Sequence, residues 1–510
     1  MSLRPAGSCS ETRKKSYKCG IDGERNRRRR EDDLVGIRKN KREDALLKKR
    51  RETHASSSAH VVMVERLLSE CPAAPLEASD LFKNLIANDY RPPVDDIVKA
   101  GFLPGFVDFL TKYDEPQLQL EAVWVLANVT SGKSEYIRLV VELGAIPGLV
   151  NLLTSTTTDG IREQAVWALG NIAADSPSNR DLVLNHDALW PLLYKLNSSS
   201  GLSMLRVATW SLSNMVRGNP PLNIDQVKAT LTVLQRLIHL SDEEVVTDAC
   251  WALSYLSDDS FHKIQVIIDT GLCPKLVELL LHPSDSVIVP ALRTLGNIVN
   301  GDDDQTQFVI DNRLLPFLHQ LLMHEHEKSI SKEACWTISN ITAGNRAQIQ
   351  AVIDADIIPH LIGILNDAEF SIKKEAVWAI INITYGGSDE QIRSVASEGC
   401  IKPLCDMLSC PDPQVVSICL EGLTNILEVG KEVDNQMEVQ GRVNIFAQIV
   451  DECGGSDKIA NLLNHENTNI YHRAVRILET FWPQDHLEDP DAHFGVNQPD
   501  LPPGGFNFVS

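Results

Sequence analysis

Apolar residues along most of this chain recur three and four positions apart, the period of a helix buried on one face. Two phrases carry that period in alternation. The first has a small or polar residue, two apolar positions, proline, and a run ending in paired leucines or their like. It reads GFLPGFVDFL from Gly101, GAIPGLVNLL from Gly144, GLCPKLVELL from Gly271, RLLPFLHQLL from Arg313, DIIPHLIGIL from Asp356 and GCIKPLCDML from Gly399. Proline is tolerated in a helix's first turn, and the glycine before it ends the preceding helix. The second phrase reads EAVWVLANVTSG, EQAVWALGNIAAD, RVATWSLSNMVRG, KEACWTISNITAG and KEAVWAIINITYGG. Each holds a tryptophan followed four positions later by asparagine: Trp124/Asn128, Trp167/Asn171, Trp210/Asn214, Trp336/Asn340 and Trp378/Asn382. The tryptophans are 43, 43, 126 and 42 residues apart, the long gap equalling three periods of 42. Self-similarity at that period predicts a helical solenoid. Each repeat should hold a short helix, a proline-started helix, a loop such as TSTTTDG (Thr154–Gly160), and a third helix bearing Trp and Asn.

Three helices in such a period match the armadillo repeat. The expected fold is all-α, a right-handed superhelical solenoid of about ten armadillo repeats with a basic N-terminal arm. The third-helix positions run Trp124, Trp167, Trp210, Trp251, Arg293, Trp336, Trp378 and Glu421. A degenerate repeat precedes them near LEASDLFKNLI (Leu76–Ile86), and the last ends in NIYHRAVRILETFW (Asn469–Trp482). Atypical ends suit caps, since one face of each meets water. The expected boundaries are an arm at 1–55, a linker and the start of the first repeat at 56–75, and the solenoid at 76–482. The Pro-, Gly- and Asp-rich residues 483–510 should form a disordered tail.

Charge divides the chain. The formal net charge is −21, yet residues 1–51 hold 18 Lys and Arg against 8 Asp and Glu, leaving −31 on the remainder. The arm's dense stretch runs through RRRREDDLVGIRKNKREDALLKKRR to Arg51, with apolar residues too sparse to bury a core. A basic helix that forms on contact with an acidic partner fits this composition. So does a solvated tail or a nucleic-acid-binding arm, and charge alone leaves these open. The cysteines include no C-x-x-C pair. Cys400, Cys405 and Cys410 lack histidines at zinc-finger spacing, so idle thiols in a reducing compartment are expected. No secretory signal and no apolar run long enough to span a bilayer stands out, so a soluble intracellular protein is expected.

Tryptophan on a helix is ordinarily core. Three features point instead to a ligand surface. Ala122, Val123, Leu126 and Val129 already supply apolar core around Trp124. Asparagine recurs with every tryptophan of the set, and burying it needs a partner each time. One turn before the tryptophan position an acid or amide is frequent: Glu121, Gln164, Asp248, Glu333 and Glu375. Indoles spaced by repeats make slots for the methylenes of Lys or Arg, whose charges reach the acids beyond. The Asn amide can clamp the N–H and C=O of an extended backbone. The implied ligand is an extended Lys/Arg-rich peptide, drawn in by the acidic body. The series is interrupted where Tyr255 follows Trp251, and where Arg293 and Glu421 replace tryptophan before Asn297 and Asn425. That splits the indoles into two clusters, fit for two basic clusters in one ligand. The tethered arm could compete for the same groove at an effective concentration on the order of millimolar.

With these motifs the chain resembles the importin-α (karyopherin-α) family over residues 11–482. The resemblance implies a nuclear import adaptor for cargo bearing nuclear localisation signals, moving between cytoplasm and nucleus and transiently at the nuclear pore. It implies that the arm binds importin-β and, when free, autoinhibits the groove, through Arg27, Arg28, Arg29, Arg30, Arg38, Lys39, Lys41, Arg42, Lys49, Arg50 and Arg51. The major site would comprise Trp124, Asn128, Ser131, Gln164, Trp167, Asn171, Asp175, Trp210 and Asn214, extended by Asp248 and Trp251, with Asp175 pairing the deciding lysine. The minor site would comprise Arg293, Asn297, Gly301, Thr306, Glu333, Trp336, Asn340, Glu375, Trp378 and Asn382. An exportin with RanGTP would grip the last repeats to return the empty adaptor. The family commonly has threonine where this chain has Ile137, so one hydrogen bond of the major pocket is expected to be missing. The first repeat is degenerate at Cys71–Phe82, and the tail keeps only Glu488, Asp489 and Asp491 of an acidic run.

Other classes fit less well. No phosphate-cradling loop, H-E-x-x-H helix or nucleophile elbow is present, so neither an enzyme nor a cofactor is expected. His324-Glu325-His326-Glu327 reads as a charged turn. A catenin-type scaffold for acidic tails would need a basic groove, against the body's −31. No membrane or direct nucleic-acid partner is expected.

Overall fold

The computed structural model describes residues 94–483, apart from residues 100, 156–157, 198–200, 259–260, 325 and 437–443. The expected arm, the linker, the degenerate first repeat to residue 86 and the tail beyond 483 lie outside the described residues. All regular structure among the described residues is helical. The chain divides into two compact units, one ending at Gln391 and the other beginning at Ile392.

In the first unit the Trp/Asn phrase forms the long third helices: Pro116–Ser131, Asp159–Asp175, Leu202–Val216, Glu243–Ser257, Asp285–Val299, Lys328–Thr342 and Phe370–Gly386. Each packs against the next. They are apolar on nearly every side; Ala122, Val123, Leu126 and Val129 are fully buried. Burial all round is what a helix sandwiched between two repeats requires. The proline phrase forms the second helices, such as Leu103–Phe109, Ala145–Thr154 and Ile358–Asp367.

Between first and second helices the backbone passes once through the left-handed region in most repeats. Glycine supplies it at Gly101, Gly144, Gly271 and Gly399, while Asp187, Arg313 and Asp356 adopt it at matching positions with φ of 58°, 66° and 55°. Glycine does so without steric cost, and a side chain with Cβ does not. The first helices carry their own caps. Asp302 with Gln305 and Asn345 with Gln348 form capping boxes, each side chain bonding the other's backbone N–H.

The repeat after Trp210 departs from the expected three helices. Residues 217–223 form no helix there; helix Ile224–Leu237 follows directly, capped by Asn223. The guanidinium of Arg180, fully buried, holds this stretch by donating to the carbonyls of Arg217 at 2.7 Å and Pro220 at 2.8 Å. Those bonds satisfy carbonyls that a helix would otherwise have paired.

The second unit contains helices Ile401–Met407, Pro413–Gln436, Ile445–Glu452, Gly455–Asn461 and Thr468–Phe481. Asp406 receives Lys402 at 2.8 Å and Lys458 at 2.6 Å, and the indole of Trp482 donates to Asp451 at 2.9 Å. Glu421, standing in the tryptophan position, pairs with Arg473 of the final helix. Burial raises the Glu421 carboxyl above its ordinary value, against the pull of Arg473.

Candidate peptide-binding site

The tryptophans lie between adjacent third helices, which modifies the picture of open slots. Trp167 and Trp210 are fully buried, Trp124, Trp251 and Trp378 are also buried, and Trp336 is half-buried. Rings lean against the repeat before them: Trp210 meets the backbone of Gly170, and Trp336 that of Gly296. Tyr255, in an asparagine position, stacks on Trp251 with centroids 5.8 Å apart.

Each asparagine has a defined partner for its nitrogen. The amide of Asn171 donates to the carbonyl of Ala127 at 3.3 Å, Asn214 to Gly170 at 3.4 Å and Asn297 to Ser254 at 2.9 Å. Asn340 donates to Gly296 at 3.2 Å and Asn382 to Ser339 at 2.9 Å. Every one of these acceptors lies in the preceding third helix. Asn128 differs by donating to Trp124 of its own helix at 2.8 Å. Asparagine therefore pins consecutive repeats, a role the sequence did not reveal. Its oxygen is another matter. Oδ1 of Asn171 and of Asn214 is buried without a hydrogen-bond partner among the described residues, as are Nε1 of Trp167 and Trp210 and Oε1 of Gln164. Buried polar atoms are nearly always paired, so these five keep unused hydrogen-bonding capacity.

Asp175 closes the same region. It is the last residue of its helix, the end where the macrodipole disfavours an anion. Two donors hold it: Ser134 from the first helix of its own repeat, and Asn179 one turn on at 2.8 Å. A cation placed there would relieve an unfavourable charge. Ser131 has turned its hydroxyl to the carbonyl of Asn128 at 2.8 Å. Asp248 is buried, and Glu121 is buried with Gln117 at 3.4 Å.

At the second cluster, Arg293 and Glu333 form a buried two-point ion pair, with Nε donating to Oε2 at 2.6 Å and Nη2 to Oε1. Glu333 is thus already neutralised from within the protein. Glu375 is buried, and Gly301 is tight against Gln305. Thr306 is fully buried, with its hydroxyl within bonding reach of the carbonyls of Val299 at 3.0 Å and Asp302 at 2.8 Å. Thr306 follows Asn297 by nine residues, as Ile137 follows Asn128. Ile137 is fully buried too. At Thr306 the hydroxyl serves local backbone, and at Ile137 the position is packed core.

Further contacts join consecutive repeats. Arg206 pairs with Asp242 at 2.6 Å and Glu244 at 3.2 Å in the next repeat, which holds its guanidinium above the ordinary value through the Asp242 hydrogen bond. Gln348 donates to the carbonyl of Asp303 at 2.7 Å and Gln391 to that of Arg346 at 2.9 Å, a second inter-repeat series. Its signal lay in the recurrence of a cap residue three before glutamine at 302, 345 and 388.

The remaining candidates gather no chemistry. Among the described residues, no group of three or more His, Cys, Asp or Glu side chains is arranged to hold a metal ion. Burial pushes the Cys250, Cys273 and Cys400 thiols up to about 12, away from the reactive thiolate. His326 lies 3.5 Å from Asp285. No single described helix is long and apolar enough to cross a membrane. The charged residues Arg27–Arg51 lie outside the described residues.

Comparison with known proteins bears on the whole chain. The importin beta binding domain model matches residues 13–80. The armadillo/beta-catenin-like repeat model matches 91–131, 133–174, 260–299, 302–343, 345–385 and 388–428, and an atypical Arm repeat matches 444–493. The chain is 54% identical to importin subunit alpha-4 of Arabidopsis thaliana, with both chains fully covered. It is 52% identical to importin subunit alpha-1b of Oryza sativa subsp. japonica, again over the full length of both. Among solved structures, an engineered protein matches with TM-score 0.68 at 26% identity, covering 86% of this chain and 98% of its own.

Proposed function

The chain belongs to the importin-α family, a nuclear import adaptor with an importin-β-binding domain, and from that premise we propose how its residues read cargo. The ligand is an extended peptide carrying Lys/Arg clusters. Asp175 takes the deciding lysine, Asn171 and Asn214 accept backbone N–H groups through their unpartnered oxygens, and aliphatic stems pack beside Trp167 and Trp210. The single observation that carries this reading is the group of unpaired buried acceptors beside an anion at the wrong end of its helix. The second site, around Trp336, Asn340, Glu375 and Trp378, takes another basic cluster, with Glu333 committed to Arg293.

The arm binds importin-β, and when free its Lys49-Arg50-Arg51 occupies the major site while Arg27–Arg30 lies toward the minor one. An exportin with RanGTP returns the empty adaptor, so the protein shuttles between cytoplasm and nucleus by way of the pore. No catalysis is assigned to it. The test is titration of a fluorescent basic signal peptide against the full chain and a chain lacking residues 1–55. Tighter binding to the truncated chain is expected, and equal affinities would refute autoinhibition. Asp175→Lys should abolish binding at the major site; unchanged affinity would refute the assigned pocket.

A further inference from the structure

Gly170 and Gly296 each meet the following repeat in two ways at once. A methyl group added to Gly170 would lie 2.6 Å from Cζ3 of Trp210 and would also strike the Ser211 hydroxyl. One added to Gly296 would strike Cζ3 of Trp336, with Cε3 at 2.9 Å and the Thr337 hydroxyl at 2.8 Å. An indole is flat and rigid, and no flexible tip can swing aside. The carbonyls of these same two glycines receive the amides of Asn214 and Asn340. One backbone unit therefore fixes both members of the Trp/Asn pair in the next repeat, once in each cluster.

The position is small throughout the array: Ala127, Gly170, Ser213, Ser254, Gly296 and Ser339 all stand three residues beyond the tryptophan position. The first large residue there in sequence is Ile381, and the repeat after it has Glu421 where tryptophan would stand. Trp167, Trp210, Trp251, Trp336 and Trp378 each follow a small residue at this position one repeat earlier. At the two glycines even a methyl group would strike the next repeat.

We propose that Gly170 and Gly296 are positioning residues for the two peptide sites, each setting the pose of the Trp/Asn pair one repeat on. This rests on the peptide-binding function proposed above. In the full chain, Gly170 governs Trp210/Asn214 and the major site, whereas Gly296 governs Trp336/Asn340 and the minor site.

The experiment measures affinity of a fluorescent single-cluster Lys/Arg peptide for full-length chains. A Trp378→Ala background reports the major site, and a Trp167→Ala background the minor one. Gly170→Ala should weaken the major site by about tenfold or more and leave the minor site within about twofold; Gly296→Ala should do the reverse. A double-mutant cycle supplies the readout that loose packing would not give. In a background carrying both Trp210→Ala and Ser211→Ala the effect of Gly170→Ala should fall to within about twofold, because the ring and the hydroxyl it strikes are both gone. Should Gly170→Ala fail to fold alone, adding Trp210→Ala and Ser211→Ala should restore its melting transition to that of the chain with those two changes only. The proposal is overturned by wild-type affinity in both glycine variants, by equal weakening of both sites, by an effect that persists in that background, or by no recovery of folding. Loss of all basic-peptide binding in the wild-type chain would instead bring down the function beneath it, and this inference with it.

Discussion

Arg293 and Glu333, forty positions apart on neighbouring third helices, close on each other through two hydrogen bonds with almost no exposure to water. The replacement of tryptophan by arginine is thereby balanced by an acid in the next repeat. Removing one partner leaves a buried charge without this counter-charge, whereas removing both leaves no charge to compensate. Glu333→Gln should cost about 3–5 kcal/mol, and Arg293→Leu with Glu333→Leu markedly less. Chemical denaturation of the three chains checks this order, and an equal loss in single and double variants would contradict it.

Arg180 replaces a missing helix with a clamp. Arg180→Met keeps the bulk but leaves the carbonyls of Arg217 and Pro220 without their donors, at about 1–3 kcal/mol for each that stays buried. The effect should be local. Amides at 217–223 should exchange faster with deuterium, with those of Ser134–Glu142 unchanged.

Arg313 occupies a left-handed turn that several other repeats assign to glycine. The left-handed region costs a residue with Cβ about 1–2 kcal/mol, against roughly 0.5–1 kcal/mol for the extra freedom of glycine in the unfolded chain. Arg313→Gly should therefore raise stability by up to about 1 kcal/mol. Asp356→Gly should gain less, since aspartate tolerates this conformation better. A raised midpoint in denaturant for Arg313→Gly is the expected result.

Asp406 gives a pH signature in the second unit. Burial acts to raise its carboxyl, but Lys402 and Lys458 outweigh it and hold it below the ordinary 3.8. A depressed folded value means the stabilisation is complete above the unfolded value and is lost as pH falls through the folded one. Wild type should melt higher than Asp406→Asn near neutrality, and the difference should close as pH drops below about 4. A difference that grows in acid would show the sign to be reversed.

The period and the helix types were legible because a third helix buried between repeats must repeat its apolar surface every time, and Trp124, Trp167 and Trp210 announce that spacing. What i and i+4 spacing could not tell was which neighbour the Trp/Asn face meets. It places Trp210 and Asn214 together but is silent on Gly170, whose backbone lies a whole repeat earlier. The same silence hid Arg180, because the carbonyls it serves belong to a stretch with no periodic signal. Ile137 stood out as a lost hydroxyl, yet its counterpart Thr306 directs that hydroxyl to carbonyls beside it. Asp175 was singled out by family likeness; its helix-terminal placement needed coordinates. The arm, where charge was the strongest sequence signal, lies outside the described residues.

The bonds from Asn171, Asn214, Asn297, Asn340 and Asn382 all point toward the N-terminus. This gives the array a polarity. Each of these five asparagines is held by a carbonyl of the repeat upstream, whereas Asn128 bonds within its own helix. Trimming from the C-terminal side would leave the surviving pairs with their anchors, while trimming from the N-terminal side would release the first pair retained. Truncation of such an array is thus tolerated better at its C-terminal end than at its N-terminal end.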